Sequence, residues 1–586
     1  MTIMRSSKKR YQFLTRFQIT LLLSVLILLF SCKGTNSGEG TAIINALVDP
    51  DLIYQSYTPG PSDRIISRTA YADKLYGFWL GQCIANWTGL VTEMDKIGNI
   101  GEIKTGDFYT RDNWGKPDQP SIWGAGEPSH LSPTIDFVIE GEEGVWGADD
   151  DTDIEYLYQY LLYTYKTSVL SGEQIRNGWL KHIKTEEENF LWVANQKALD
   201  MMQDGYVPPA TSDPEITSDS IYDNYYEMID AQLTTEIFGF FAPSRPDVAL
   251  KMARLPIRTT ARENAQWISE FYVTMYSLAS YVDPDLSQKE KIIWMAGEAR
   301  KRLPEHSYSA KMYDFVRAKY EAGIPWEEAR DELYQRYQVD QEDGYLITSK
   351  NIFCNGCFAA GINFGSSIVS LLYGEGDLKE TIKIGVLAGW DSDNPTATWG
   401  GLLGFMLGKK GVEAAFGQKF SPRFNIHRTR INFPNDGMDT FDKMAEKGIY
   451  VIDRVVQEEM GGGIDLQKDI WYIPDVELEK NDIDAIRKGP IHIQGEPGAT
   501  VRIEQLTHEF WFGCAISSNV FSENSRMGES DISMYKEKFL ENFNAAVTEN
   551  AVKWGSMERM RNSGSMTMIF LPETDWTIFS NTSKNC

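Results

Sequence analysis

Two stretches of this chain carry small residues at every fourth position, and they constrain its folding more than any other feature. The first is Gly77-Phe-Trp-Leu-Gly81-Gln-Cys-Ile-Ala85-Asn-Trp-Thr-Gly89; the second is Gly400-Gly401-Leu-Leu-Gly404-Phe-Met-Leu-Gly408. On a helix, a spacing of four keeps these positions on one face. A stripe without side chains lets another backbone approach closely. Acids flank both stripes, with Glu93 beyond the first and Asp391 and Asp393 before the second. The pattern predicts tight helix–helix packing that brings carboxylates at helix ends into one cleft.

Helical periodicity dominates from about residue 71 to 408. Apolar residues recur at helical spacings over 154–162, 229–242, 267–281, 289–300, 310–320 and 362–373. Pro- and Gly-rich stretches at 117–133 and 206–214 read as loops. Strong alternating runs are few, so the prediction is an all-α domain over 68–474, with 416–434 wrapping its core. A hydrophobic content of 42% with 12% aromatics is that of a globular protein. Past Asp475 the character changes. Residues 490–494 and 500–505 alternate around Gly495-Glu-Pro-Gly498, a hairpin signal, and 534–554 follows as a helical stretch.

The N-terminus reads as an address. Arg5, Lys8, Lys9, Arg10 and Arg16 precede the apolar run 21–30, with no acid in 1–31. That is the layout of a secretory signal, and the apolar run is too short to span a bilayer. Leu29-Phe30-Ser31-Cys32 is similar to a bacterial lipobox, which makes Cys32 the expected lipid anchor. Segment 1–31 is then a lipoprotein signal peptide, and 32–67 is a tether and lead-in. The expected location is the bacterial cell envelope or surface, with membrane contact through the lipid anchor only.

Two carboxylate clusters carry the chemistry. Asp149-Asp150-Asp151-Thr152-Asp153 stands immediately before the helical run 154–162. Acids at a helix N-terminus satisfy free amides and the dipole, which accounts for one or two of them. Three in a row repel one another unless a cation binds nearby. The second cluster is Gly389-Trp390-Asp391-Ser392-Asp393-Asn394-Pro395-Thr396. It offers several hard oxygen ligands in a short space, suited to Mg²⁺, Mn²⁺ or Ca²⁺ rather than zinc. An EF-hand is excluded, because loop positions six and twelve would fall on Ile154 and Tyr160.

The order Gly-x3-Gly-x3-Ala-Asn-x2-Gly-x3-Glu, Asp-Asp-Asp-Thr, then Gly-x-Asp-x-Asp-Asn followed by the second glycine stripe resembles the ADP-ribosylglycohydrolase family. The resemblance covers about 68–474, including Ala231-Gln-Leu-Thr-Thr-Glu-Ile-Phe-Gly239. It implies an all-α fold with a centre of two Mg²⁺ or Mn²⁺ ions. By motif position it implies Asp149, Asp150, Asp151, Asp391, Asp393 and Asn394 as ligands, with Glu93 beside the metals. Glu93 is the candidate for acid/base assistance at the anomeric centre, set against a supporting or gating carboxylate. Trp87 and Trp390 neighbour the motifs and are candidates for stacking on substrate, set against packing in the core. Asp149 replaces the family's usual threonine, Ala85-Asn86 its Gly-Asp, and Asn394 a frequent Ser or Thr. An added carboxylate tightens metal binding, and the changes bear on ADP-ribose specificity more than on the metal centre.

Further on, Thr507-His-Glu-Phe-Trp-Phe-Gly-Cys-Ala-Ile516, the stretch 535–544 and Val547-Thr-Glu-Asn-Ala-Val-Lys-Trp554 resemble the opening of glycoside hydrolase family ten xylanases. The resemblance, over about 486–558, implies an incomplete TIM-barrel start within 475–560, with Glu549, Asn550 and Lys553 on the glycone side. Closing a barrel takes about 250 residues. Asn-Glu-Pro occurs nowhere in the chain, so xylanase activity is not expected. Segment 561–586 departs from that pattern and is expected to be a frameshifted or unstructured tail.

The remaining features narrow the partners. A formal charge of −26, from 57 Lys+Arg against 83 Asp+Glu, excludes nucleic acid, whose binding needs clustered cations. Cys354-Asn-Gly-Cys357 stands without a second pair and reads as buried cysteines or an exported disulfide. His130, His182, His306, His427, His492 and His508 are scattered and receive no metal role. No phosphate-binding Gly-Lys-Ser/Thr loop or Gly-x-Ser-x-Gly elbow occurs. The expectation is a metal-dependent hydrolase of a furanosidic bond. Its substrate is an ADP-ribosyl conjugate or a carbohydrate, such as an arabinofuranosyl branch in xylan degradation. The competing reading is a non-catalytic glycan-binding lipoprotein.

Overall fold

The computed structural model describes residues 47–124, 126, 128–185, 188–217, 224–346, 354, 356–475, 513–516, 527–543 and 545–548. The signal segment with Cys32, the 490–505 hairpin, Glu549, Asn550, Lys553 and the 561–586 tail lie outside the described residues. The chain divides into two units, Met1–Lys488 and Gly489–Cys586.

The first unit is largely helical. The helices that shape its centre are α1 (Arg68–Gly89), α2 (Asp150–Tyr165), α3 (Ala360–Tyr373), α4 (Leu378–Ala388), α5 (Asp393–Phe416) and α6 (Phe441–Glu458). The antiparallel α1–α5 pair is the most extensive helix contact. A Cβ on Gly77 would fall 2.3 Å from the Gly404 carbonyl, and one on Gly81 2.3 Å from that of Gly400. A Cβ on Gly400 would in turn lie 2.2 Å from that of Ala85. Both predicted stripes therefore meet backbone to backbone. α5 is interrupted at Gly408, where φ is +67°, a conformation that favours glycine.

A small sheet closes the domain behind α1. Arg64–Ser67 pairs antiparallel with Ile470–Ile473, which pairs antiparallel with Gly463–Asp465. Ser67 ends its strand and caps α1, its hydroxyl accepting from the Ala70 amide. Beside it the buried Arg68 guanidinium donates to Asp453 of α6 at 3.0 and 2.6 Å. The Asp453 carboxylate also accepts from the Trp471 indole and the Tyr54 hydroxyl, both at 2.7 Å. The lead-in, the sheet, α1 and α6 are tied through one carboxylate.

The helical runs at 154–162, 267–281, 289–300, 310–320 and 362–373 fall within or almost within Asp150–Tyr165, Glu263–Ala279, Gln288–Arg300, Tyr308–Glu321 and Ala360–Tyr373. The run at 229–242 does not form one helix. It is a single turn at Ile229–Ala231 and a short helix at Ile237–Phe241. Between them the Thr234 and Thr235 hydroxyls donate to the Asp230 and Ala231 carbonyls, and Gly239 packs on Tyr276. The segment 416–434 crosses the core surface, with Arg423–Asn425 pairing antiparallel with Met438–Thr440.

In the second unit the stretch expected as one helix over 534–554 is a helix at Glu529–Asn542 followed by a strand at Ala545–Thr548. That strand pairs in parallel with Gly513–Ile516. Distant pairing overrode the local periodicity. Two parallel strands joined through a helix occur in α/β folds generally, so the expected barrel start rests on the sequence pattern alone. Among the described residues no helix is long and apolar enough to cross a membrane.

Asp453→Ala is expected to strip the buried Arg68 guanidinium of its closest ion pair, leaving it Asp469 at 3.3 Å and the Leu47 carbonyl, and to lower unfolding free energy in chemical denaturation by about 3 kcal/mol.

Candidate metal centre

Glycine contact sets the distance between the two acid-bearing loops. Where α1 ends, a Cβ on Gly89 would fall 2.3 Å from the Asp393 Cα, so only glycine permits the approach. The loops are then latched by hydrogen bonds. The Met94 amide donates to the Trp390 carbonyl at 2.9 Å, and the Trp390 amide to the Lys96 carbonyl at 2.7 Å. The Ser392 hydroxyl donates to the Gly89 carbonyl at 2.9 Å, and Thr92 to the Val386 carbonyl at 2.6 Å. Glu93 is thereby presented to Asp391 and Asp393, with one oxygen from each within 4.8 Å of the others.

The N-terminus of α2 supplies the second triplet. Asp149 caps the helix, accepting from the Asp150 amide at 2.9 Å, while its own amide donates to the Thr152 hydroxyl at 3.1 Å. Oxygens of Asp149, Asp150 and Asp151 lie within 4.8 Å of one another. Asn394 stands behind them, its amide nitrogen donating to Asp151 at 3.1 Å and its oxygen accepting from Gln232 at 3.3 Å. The Asn363 side-chain oxygen accepts from the Asp391 amide at 3.2 Å.

Glu93, Asp149, Asp150, Asp151, Asp391 and Asp393 all line one cavity of about 300 Å³, the scale of a small-ligand site. Burial holds the Glu93, Asp150, Asp151, Asp391 and Asp393 carboxyls well above the usual carboxylate range, and the charges of neighbouring acids add to it. Asp393 Oδ1 is buried with no hydrogen-bond donor. Clustered, desolvated hard-oxygen donors with an unsatisfied atom among them fit a divalent cation. The donor set is all carboxylate, which suits Mg²⁺ or Mn²⁺ better than zinc.

Trp87 and Trp390 do not line this cavity. The Trp390 ring is fully buried, 4.8 Å from Phe108 between centroids, with its indole donating to Gln338. Trp87 is half-buried and donates to the Gly147 carbonyl at 3.1 Å, steadying the approach to Asp149. Trp87 thus supports the motif backbone, and Trp390 packs in the core. Other cavity residues had no motif to mark them: Asp230, His427, Arg430, Trp123, Phe190 and Trp192. Asp230 accepts from the Asn195 amide at 2.6 Å, and burial raises its carboxyl to about 7. Arg430 makes a buried 2.9 Å ion pair with Asp153, whose carboxyl burial nevertheless holds at about 7.

One turn into α2, Glu155 accepts from the Ile237 amide and from Gln82, while Glu236 accepts from the Thr398 hydroxyl. Burial raises both carboxyls, Glu236 to about 8, and at Glu155 the charge of Glu236 adds to the effect. The folded protein thus keeps a proton that the unfolded chain releases above about pH 4.5. Stability from it is complete below that pH and falls away as pH climbs to about 8. Glu236→Gln is expected to flatten the decline in denaturation midpoints between pH 5 and 8.

Adding Mg²⁺ or Mn²⁺ to EDTA-treated protein should raise Tm, with about 2.7 kcal/mol gained at a hundredfold excess over Kd. Asp391→Asn relieves repulsion, so metal-free Tm should hold or rise while the metal-induced increase disappears. An unchanged wild-type Tm across both metals would count against the site.

A family model described as ADP-ribosylglycohydrolase matches residues 67–438. It leaves out the segment that resembles family ten xylanases. Among solved structures, a chain titled "ADP-ribosylglycohydrolase-related protein complex" is similar at 13% identity and a TM-score of 0.36, with 66% of this chain and 99% of that chain covered. No curated protein matches the chain.

Proposed function

The chain belongs to the ADP-ribosylglycohydrolase family, and we propose that its carboxylate cleft hydrolyses the glycosidic bond of a furanose, using two Mg²⁺ or Mn²⁺ ions. The family is one of hydrolases acting on glycosidic bonds. The observation that carries the finer reading is the convergence of two carboxylate triplets, from three separate stretches of chain, on one cavity. Asp149, Asp150 and Asp151 hold one side, and Asp391 and Asp393 the other. Asn394 orients Asp151 from behind, and Asn363 fixes the backbone at Asp391.

Asp149, Asp150, Asp151, Asp391 and Asp393 would hold the divalent ions, which would supply Lewis-acid orientation of the sugar and stabilisation of developing charge. The chain's own part is to orient and to move a proton. Glu93 faces the cavity on the loop after α1, and burial beside Asp391 raises its carboxyl. A carboxyl placed there is suited to protonating a departing oxygen, and its conjugate base to activating water. Phe358 and Leu233 complete the cavity wall and limit bulk water.

The Cys354–Cys357 disulfide supports export, because such bonds persist in oxidising compartments. We place the protein in the cell envelope, anchored through Cys32 and acting on ADP-ribosyl conjugates or on furanosyl branches of a glycan.

Product analysis of metal-loaded protein on both substrate classes, with EDTA and Asp391→Ala as controls, tests the reading. The expected result is metal-dependent release of a furanose or ribose product that both controls abolish. Glu93→Gln should lower kcat by about 10²–10⁴ with the metal-induced Tm increase retained. Loss of that increase would make Glu93 a ligand instead. Glycan binding without turnover, unchanged by Asp391→Asn plus Asp393→Asn, would favour a binding protein.

A further inference from the structure

We propose that the outer wall of the cleft is a binding site for an uncharged saccharide, with the stacked Trp123 and Trp192 rings as its platform. The furanose beside the carboxylates is then carried on a neutral glycan. That last step rests on the furanosidase reading above; the platform itself stands on three separate observations.

The first is exposure. Trp123 is 40% exposed and Trp192 53%, although both line the same cavity as Glu93 and Asp391. The two rings stack on each other, with centroids 5.7 Å apart and planes 21° from parallel. Phe190, 36% exposed, extends the same wall and meets His427 edge to face. The exposed part of these rings represents burial that a ligand can complete. A pyranose ring presents a flat C–H face to such a surface and keeps its hydroxyls at the edges, towards water.

The second observation is charge. Beside its carboxylates the cavity has Arg430 and His427 as its basic lining residues. Arg430 is committed elsewhere, paired with Asp153 at 2.9 Å and donating to the Asn189 carbonyl at 2.7 Å and the Thr429 hydroxyl at 2.8 Å. His427 is hydrogen-bonded to Thr429 at 2.7 Å and contacts Arg428 at 2.9 Å. Burial, with Arg430 and Arg428 adding to it, lowers its imidazole to about 4, so the ring is neutral at working pH. The Arg428 guanidinium lies over the Phe190 ring, 4.6 Å from its centroid. Both lining bases are thus committed or neutral: a diphosphate would have to draw on Arg428 beside the wall or on the metal ions, whereas a neutral saccharide needs no cation.

The third is continuity. The platform and the carboxylates share one cavity. A glycan stacked on Trp192 can therefore present its furanosyl branch to Glu93 without leaving the wall.

The test uses the full chain loaded with Mn²⁺. Neutral oligosaccharides (xylohexaose, arabinan and galactan fragments) and ADP-ribose are titrated calorimetrically into wild type, Trp123→Ala, Trp192→Ala and Trp192→Phe. Far-UV circular dichroism and the metal-induced Tm increase verify that each variant is folded. The expected result is binding of at least one neutral oligosaccharide, weakened tenfold or more by Trp192→Ala, weakened by Trp123→Ala and largely restored by Trp192→Phe. Failure of every neutral oligosaccharide to bind overturns the proposal, as does wild-type binding by both alanine variants. ADP-ribose binding tighter than all of them and lost in Trp192→Ala overturns it too, giving the platform to a nucleobase. Because binding is read without turnover, the two readings fail separately. Tryptophan-dependent oligosaccharide binding with no hydrolysis of any furanoside sinks the hydrolase reading and upholds the platform. Metal-dependent furanoside hydrolysis with no oligosaccharide binding does the reverse.

Discussion

The backbone contact between α1 and α5 is the constraint on which the rest of the structure depends. Gly77, Gly81, Gly400 and Gly404 leave no room for a Cβ, so the two helices sit at a separation that ordinary side chains forbid. Because the helices are antiparallel, the end of α1 meets the start of α5. Gly89 is seated against Asp393, and Glu93 follows four residues later. A wider α1–α5 spacing would part Glu93 from Asp391 and Asp393. Packing and chemistry are here one requirement, expressed at opposite ends of the same helix pair.

The carboxylate cluster is a cost that the fold must carry. Several acids share a desolvated cavity, and their raised pKa values record how poorly the metal-free protein tolerates their charge. The surroundings restrain rather than neutralise them. Thr152, Asn363, Asn394 and Gln232 hold oxygens and backbone in place, and the cavity-lining cation Arg430 is paired with Asp153. An arrangement so expensive without a counter-ion makes sense as a receptor for one.

Much of this was legible locally. The glycine stripes, the Asp149–Asp151 run and the Asp391–Asn394 cluster are contiguous in the chain, and helical periodicity located Glu263–Ala279 and Tyr308–Glu321 within a few residues. The errors came where distant groups decide local structure. Residues 229–242 carry apolar spacing, yet the Ile229 amide donates to the Phe358 carbonyl and the Ile237 amide to Glu155. Ala545–Thr548 extends a helical pattern by spacing, but Gly513–Ile516 offers it a strand partner. Trp87 and Trp390 stand beside the motifs in sequence, whereas Trp123 and Trp192 stand beside the cavity in space.

The helical class, the bare stripes and the identity of the acids are legible in the chain alone, because each is written in spacings of a few residues. Only the tertiary structure decided which acids share a cavity, which tryptophans reach it, and that Arg430 is paired rather than available to a ligand. The physical reason is range. Periodicity and capping act within one or two turns, while desolvation, charge repulsion and ring stacking depend on neighbours hundreds of residues away, as Asn394 is from Asp151.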